Sequence, residues 1–273
     1  EGLKHNFDTV KNVVASTAEA KKILREFQPD AVIGTGGYVC YPVLKAAHSL
    51  KIPTVVHESN AVPGLTTKML SGVADRILVG FEESRQYYRH AEKVIVTGTP
   101  VRGDFRNADK KAAREQLGLS PDKPLVVSVW GSLGAAFMNK TMVGFIEKAL
   151  GNPFFGLIHS AGKGGYTAML DDMKKEGIKD ATARGMEVRE YIYDMPLVMA
   201  AADLVVCRVL ERAGAAVLIP ETDITADRLL GAVSLLLSRP ETLDSMAEQM
   251  KHIGMSDATE RIADIVLELV HQK

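Results

Sequence analysis

The chain has 273 residues, 33 basic and 34 acidic, for a formal net charge of −1, with 46% hydrophobic and 25% charged residues. This is the composition of a folded globular protein, and without a strong basic excess no nucleic-acid partner is expected. No apolar run approaches the ~20 residues that cross a bilayer and no signal peptide is expected at the start, so any membrane contact is expected from the surface.

The spacing of apolar residues predicts a first helix over 7–27, with no strand ahead of it. Ala31, Val32 and Ile33 then read as a short buried strand, 31–34, which breaks into "GTGGYVCYP" and restarts as a helix over 38–50 despite Pro42. A strand that ends in glycines and restarts as a helix brings backbone N–H groups to a phosphate, although the same glycines also serve a plain positive-φ turn. Strands follow at 54–57, 76–79 and 93–97, with a helix over 64–72. "VTGTPVRGDF", 96–105, reads as a boundary, because a strand ends there in Gly, Pro and Gly before a charged helix over 106–117.

A second series opens at the strand 125–130, which ends in Gly131-Ser132-Leu133-Gly134 and restarts as a helix over 134–149. Strands at 155–159, 186–189, 203–207 and 216–219 and helices over 164–176, 223–238, 241–252 and 257–271 complete the chain. In the last helix Asp257 and Glu260 read as a capping box, and Ile262, Ile265, Val266 and Leu269 form an apolar stripe. Such alternation implies an α/β fold of parallel sheets covered by helices. Two sheets, each with a glycine turn at a strand's carboxyl end, imply two lobes with the ligand in the cleft between them.

The stub between the strands 203–207 and 216–219 is shorter than the ~10–12 residues of a parallel crossover. Either those strands are not parallel neighbours or residues are absent between Arg208 and Val209. Cys40 and Cys207 read as buried reduced thiols. The seven histidines are scattered, and no C-x-x-C or H-E-x-x-H spacing occurs, so no metal site is expected.

"GTGGYVCYP", "IPTVVHESNAVPGLTTK", "VTGTPVR", "WGSLGAAFMN" and "YIYDMPLVMAAADLVVCR", in that order and at the expected intervals, closely resemble the MurG family of bacterial N-acetylglucosaminyltransferases. The resemblance covers nearly the whole chain. It implies the GT-B fold of two Rossmann-like lobes: residues 1–105 facing acceptor and membrane, and residues 106–273 holding the UDP-sugar, with the last helix packing back on the first lobe. The implied donor is UDP-N-acetylglucosamine and the implied acceptor is lipid I, a muramoyl-pentapeptide on undecaprenyl diphosphate. Transfer to its 4-hydroxyl with inversion gives lipid II, at the cytoplasmic face of the cell membrane, without a cofactor or bound metal.

Residue by residue, the resemblance makes Gly36, Gly37 and the helix start at Tyr38 the holders of the acceptor diphosphate. Asn60, Arg102, Ser132 and Ile192 match donor-binding positions, Ile192 through its backbone at the uracil edge. Each also has a plainer reading: a turn-forming Asn60, an Arg102 salt bridge between lobes, a helix N-cap at Ser132 and a core Ile192. His57 and Glu58 read as shaping the loop that presents Asn60 rather than as catalysts, and His159 as a cleft or core histidine. Lys45, His48 and Lys51 supply attraction for anionic lipids.

The chain departs from the family where Tyr41 and Trp130 replace glycines and where Ser59 and Thr99 replace glutamine and asparagine; Trp130 is expected to narrow the phosphate turn. The first lobe is expected to be incomplete, with its first strand, glycine loop and general-base histidine upstream of Glu1. A ribose-holding glutamate is expected after "VVCR", where the sequence instead reads "VLERAGAAV". Two alternatives fit the same lobes: another GT-B enzyme such as a UDP-N-acetylglucosamine 2-epimerase, which has no need of the Gly-Gly-Tyr turn, and a noncatalytic sugar-nucleotide binding module.

Overall fold

A computed structural model describes residues 2–106, 108–131, 135–207 and 215–272, with backbone alone for 2–10 and 252–253. The chain divides into two compact units, residues 1–101 with 254–273 and residues 102–253.

In the first unit, α1 (Gly2–Phe27), β1 (Val32–Gly34), α2 (Cys40–Ser49), β2 (Thr54–Glu58), α3 (Leu65–Leu70), β3 (Arg76–Val79) and β4 (Val94–Val96) follow one another. The four strands form one parallel sheet in the order β1-β2-β3-β4. All five residues of β2 are buried, as a central parallel strand covered on both faces must be. Leu44, Val56, Leu70, Ile77 and Val79 form one core cluster. Ala20 and Leu24 of α1 meet Ala46 and Ala47 of α2 in another. The Asp75 carboxylate accepts from the Thr54 N–H and hydroxyl, each at 2.8 Å, and ties the start of β2 to the start of β3.

In the second unit, α4 (Lys110–Gln116), β5 (Leu125–Val129), α5 (Ala136–Ala149), β6 (Gly156–Ser160), α6 (Tyr166–Lys175), β7 (Met186–Arg189), α7 (Met195–Ala201), β8 (Leu204–Cys207), α8 (Ala226–Leu237) and α9 (Pro240–Ile253) follow. Its sheet is also parallel, in the order β7-β6-β5-β8. Met138, Met142, Phe145 and Ile146 on one face of α5 pack with Phe155, Met169, Leu229 and Val233. Arg114 of α4, buried, donates to Asp203 at 2.9 Å and to the Ala201 carbonyl at 3.0 Å, while the Asp203 carboxylate also accepts from the Leu125 N–H at 2.7 Å. These bonds join α4 to the starts of β5 and β8.

Three sequence expectations are corrected. The charged helix starts at Lys110 rather than 106, because the Asp109 side chain caps it by accepting from the Ala112 N–H at 2.8 Å. Residues 216–219 form no strand: Val217 and Leu218 are exposed and Ile219 packs on the α5 core. Without a neighbouring ladder, an apolar β-branched run has nothing to pair with. The Arg208–Val209 junction lies outside the described residues.

Nor does the last helix, α10 (Ala258–His271), open on a capping box. The Asp257 side chain makes no cap bond and pairs with Arg261 Nε at 2.7 Å, one turn on. The stripe of Ile262, Ile265, Val266 and Leu269 is half-buried throughout. The segment leading into α10 packs on Gly98, where a Cβ would stand 2.7 Å from the Met255 Cβ. Cys40 and Cys207 are both free and half-buried. Among the described residues no helix is long and apolar enough to cross a membrane.

One chain of polar side chains runs through the second core. Trp130 Nε1–H donates to Ser128 Oγ at 2.9 Å, and Ser128 Oγ lies 3.0 Å from His159 Nδ1. His159 Nε2 lies 3.2 Å from Asn139 Oδ1, and Asn139 Nδ2–H donates to the Ala161 carbonyl at 2.8 Å. With the imidazole neutral, every bond is satisfied when the serine hydroxyl donates to Nδ1 and Nε2–H donates to Asn139 Oδ1. Burial pushes the His159 pKa down to about 4.

The unfolded chain therefore binds a proton that the folded chain refuses between the ordinary histidine pKa, 6.5, and about 4. Stability is lost as pH falls through that window, by ~3 kcal/mol. Urea unfolding at pH 7 and pH 4.5 should show that much of the drop in the wild type and its absence in His159→Gln. Equal drops in both would contradict a neutral buried His159.

Candidate functional site

In the first unit the site forms at the carboxyl ends of β1 and β2. β1 runs directly into Thr35, Gly36 and Gly37, whose glycines have φ of +92° and +78°, a region that L side chains avoid. A Cβ on Gly37 would meet no atom within 4 Å, so this glycine serves the backbone path and leaves the space above it open. α2 begins at Cys40, two residues later than the sequence suggests, and Val39 at its N-cap offers no side-chain bond. The Cys40 N–H that opens α2 donates to the Gly37 carbonyl at 3.2 Å, and no side-chain cap meets the N–H groups that follow it beside the turn. Cys40 Sγ–H donates back to the Gly36 carbonyl at 2.6 Å, and Tyr38 is 86% exposed.

Across from this turn stands Glu58, the last residue of β2. Its Oε1 accepts from the Asn60 N–H at 2.9 Å and from Asn60 Nδ2–H at 2.7 Å. Its Oε2 accepts from the Gly64 N–H at 2.9 Å and from the Thr67 hydroxyl at 2.7 Å. Four donors thus meet the four lone-pair sites of one buried carboxylate. The charge also sits at the N-terminus of α3, where the helix dipole favours it. Burial alone would raise the Glu58 pKa; the bonds from Thr67, from the Asn60 and Gly64 backbone and from the Asn60 amide outweigh it and hold the carboxyl below its ordinary value. The group is an anchor for loop 59–64 and is poorly disposed to take a proton.

Between the glycine turn and this loop lies a cleft of ≈ 270 Å³, lined by Thr35, Gly36, Gly37, Glu58, Asn60 and residues 64–67. Gly36, Gly37 and Asn60 therefore meet in one cavity. His57 does not join them: it is buried, and its Nε2–H donates to the Gly98 carbonyl at 2.9 Å. Beneath the cleft, burial first and the Glu58 charge last push the Tyr88 pKa up to about 12, so this phenol stays neutral.

In the second unit the corresponding strand ends are those of β5, β6 and β7. Gly131, just beyond β5, has φ of +93°; Ser132 lies outside the described residues. The Ile192 side chain is buried in a cluster with Val127 and Ile158, which leaves its backbone as the part able to read a ligand. Arg189 braces the segment by pairing with Glu187 at 2.7 Å and Asp194 at 3.2 Å. Tyr191 and Tyr193 flank Ile192 with ring centroids 4.9 Å apart. Among the described residues Arg102 makes no ion pair; its guanidinium lies 5.7 Å from the Phe105 ring centroid, a stacking that orders the fork while leaving its donors exposed. His159 belongs to the core rather than to a cleft, with no exposed surface.

Sequence reading missed four partners. Thr67 reaches Glu58 across nine residues, Phe105 supports Arg102, and Ser128 with Asn139 meets His159. Only the Arg102–Phe105 spacing, closed by a Phe105 N–H to Arg102 carbonyl bond at 3.1 Å, carries a local signal.

Comparison with known proteins assigns segments of both units to one family. The Glycosyltransferase family 28 N-terminal domain matches residues 1–79 and the family 28 C-terminal domain residues 125–209. The chain is 38% identical to the UDP-N-acetylglucosamine--N-acetylmuramyl-(pentapeptide) pyrophosphoryl-undecaprenol N-acetylglucosamine transferase of Acetivibrio thermocellus, over 97% of this chain and 79% of that protein. It is 37% identical to the transferase of the same name from Caldanaerobacter subterraneus, over 96% and 81%. The crystal structure of Acinetobacter baumannii MurG superposes with a TM-score of 0.68 at 25% identity, covering 94% of this chain and 80% of that one. A putative UDP-N-acetylglucosamine 2-epimerase from Listeria monocytogenes gives 0.73 at 14% identity, covering 96% and 80%, a likeness of fold alone. On the strength of the identity shared with the named transferases along almost its whole length, the chain belongs to the MurG family of N-acetylglucosaminyltransferases, with the GT-B fold.

Proposed function

We propose that this chain is an inverting glycosyltransferase that moves N-acetylglucosamine from UDP-N-acetylglucosamine to the 4-hydroxyl of the muramoyl group of lipid I, forming lipid II in peptidoglycan synthesis. The observation that carries this reading is the 38% identity over 97% of the chain to a transferase of that name. The cleft between the glycine turn and the Glu58 loop adds a second support, since its open backbone and the uncapped start of α2 suit a diphosphate.

In this reading Gly36, Gly37 and the N–H groups around Tyr38 and Cys40 hold the acceptor's diphosphate. Asn60, Arg102, Ser132 and the Ile192 backbone hold the donor. Negative charge grows on the departing UDP, and the permanent charge of Arg102, ordered over Phe105, opposes it where it develops. The 4-hydroxyl must also lose a proton. Glu58 has its lone pairs filled, His57 is buried against the Gly98 carbonyl and His159 is buried in the core, so none of the three suits that step.

The work of Glu58 is to hold Asn60. Glu58→Gln turns an amide N–H toward four donors and leaves at least two of them unmet, each costing about 1–3 kcal/mol. Transfer from UDP-N-acetylglucosamine to a soluble lipid I analogue should fall about a hundredfold, with a clear loss of thermal stability. Asn60→Ala, which removes one of the four donors, should also lower transfer, with a smaller loss of melting temperature than Glu58→Gln. Transfer within a factor of about two in Glu58→Gln would contradict the anchoring role.

The membrane side of the reading rests on the surface of the first unit. Tyr38, Val39, Val62, Leu65 and Met69 are all more than half exposed around the cleft, while Lys45, His48 and Lys51 are exposed on and just after α2. Exposed apolar side chains together with the lysines on and just after α2 suit shallow insertion at an anionic, cytoplasmic membrane face. The protein should cosediment with phosphatidylglycerol-containing vesicles and much less with phosphatidylcholine vesicles, and Lys45→Glu/Lys51→Glu should weaken the difference. Equal binding to both lipids by wild type and variant would contradict an electrostatic contribution.

A further inference from the structure

The polar chain from Trp130 to Asn139 joins the two pieces of backbone on either side of the donor-lobe glycine segment. Ser128 lies on β5, and Trp130 directly precedes Gly131; Asn139 stands in the first turn of α5. His159 of β6 stands between them, in lateral register with Ser128. Ser128 and His159 have no exposed surface and Asn139 has 5%. The contact is tight on its far side as well: a Cβ on Gly165 would fall 2.3 Å from Asn139 Nδ2, so a side chain there would displace the amide.

A core needs no such series. Apolar residues of the same shape would fill the space without three buried polar side chains and the half-buried Trp130 N–H to satisfy, and each bond made by those groups is directional. What the bonds add is position. They fix the exit of β5 against the entry of α5 through one imidazole, and Trp130, which stands where relatives of the family have glycine, is tied into the series by its N–H.

We propose that Trp130, Ser128, His159 and Asn139 form a clamp that sets the spacing between the end of β5 and the start of α5, and through it the affinity of this unit for a nucleoside diphosphate. The proposal rests on the reading of the Gly131–Gly134 segment as the UDP site. These are positioning residues: none needs to touch the ligand.

Ser128→Ala removes the one hydroxyl that accepts from Trp130 and donates to His159. Titration of UDP by calorimetry should give a Kd about tenfold weaker than wild type, the loss expected for slackening a site by one or two bonds. Trp130 is the only tryptophan in the chain, so its emission reports on the clamp directly. In Ser128→Ala the emission should shift, and the change that UDP produces in the wild type should shrink. Ser128→Thr, which keeps the hydroxyl, should restore both, and Trp130→Phe should weaken UDP binding less than Ser128→Ala does.

A merely structural core would lower the melting temperature without moving the Kd. Ser128→Ala with a lowered melting temperature and a wild-type Kd for UDP would overturn the clamp and leave the donor site standing. Wild-type protein that binds no UDP would overturn both.

Discussion

A carboxylate withdrawn from water at the end of a parallel strand is costly unless every lone pair finds a donor, and Glu58 meets that demand with groups drawn from two, six and nine residues on. The Asn60 N–H and amide fold the chain back immediately after β2, and the Gly64 N–H and Thr67 hydroxyl bring in the start of α3. The path of loop 59–64 is the consequence. So is the wall of the cleft facing Gly36 and Gly37. Because the bonds to the ionised form outweigh its burial, the charge persists well into acid, and the helix dipole of α3 acts in the same direction.

The second unit solves its own ordering problem differently at two places. At the amino ends of its strands, the buried Arg114 pairs with Asp203 and donates to the Ala201 carbonyl, while Asp203 also accepts from Lys110 Nζ at 2.6 Å and from the Leu125 N–H. At the carboxyl ends, where an anionic nucleotide is proposed to bind, the buried groups are neutral. An imidazolium there would favour an anion, yet burial keeps His159 neutral down to about pH 4. In the proposed donor site, attraction for phosphate would come from backbone N–H groups and from Arg102, whose stacking on Phe105 orders its fork without neutralising it.

How far the sequence revealed this depends on whether a feature is local. Buried parallel strands such as Thr54–Glu58 and Leu125–Val129 read as unbroken apolar runs, so the α/β alternation was legible. The glycine segments were legible too, since Gly36, Gly37 and Gly131 all adopt positive φ. Features decided by a distant partner were not. Residues 216–219 carry strand propensity but no ladder; Asp257 had two local partners and took Arg261 instead of the helix N–H groups. The four donors to Glu58 lie within nine residues, yet nothing in their spacing marks Thr67 as one of them. His159 reads as any histidine at a strand end until Ser128 and Asn139 are brought beside it.

The central claim is that the turn after β1 receives the diphosphate of a lipid-linked acceptor in the cleft whose other wall is the Glu58 loop. Amide chemical shifts recorded while a water-soluble lipid I analogue is titrated into isotopically labelled protein test it most directly. The account predicts the largest shifts at Gly36, Gly37, Cys40, Asn60 and Gly64, saturating together, with Glu58 staying ionised throughout. Saturating shifts confined to other strand ends, with these five amides unmoved, would contradict it.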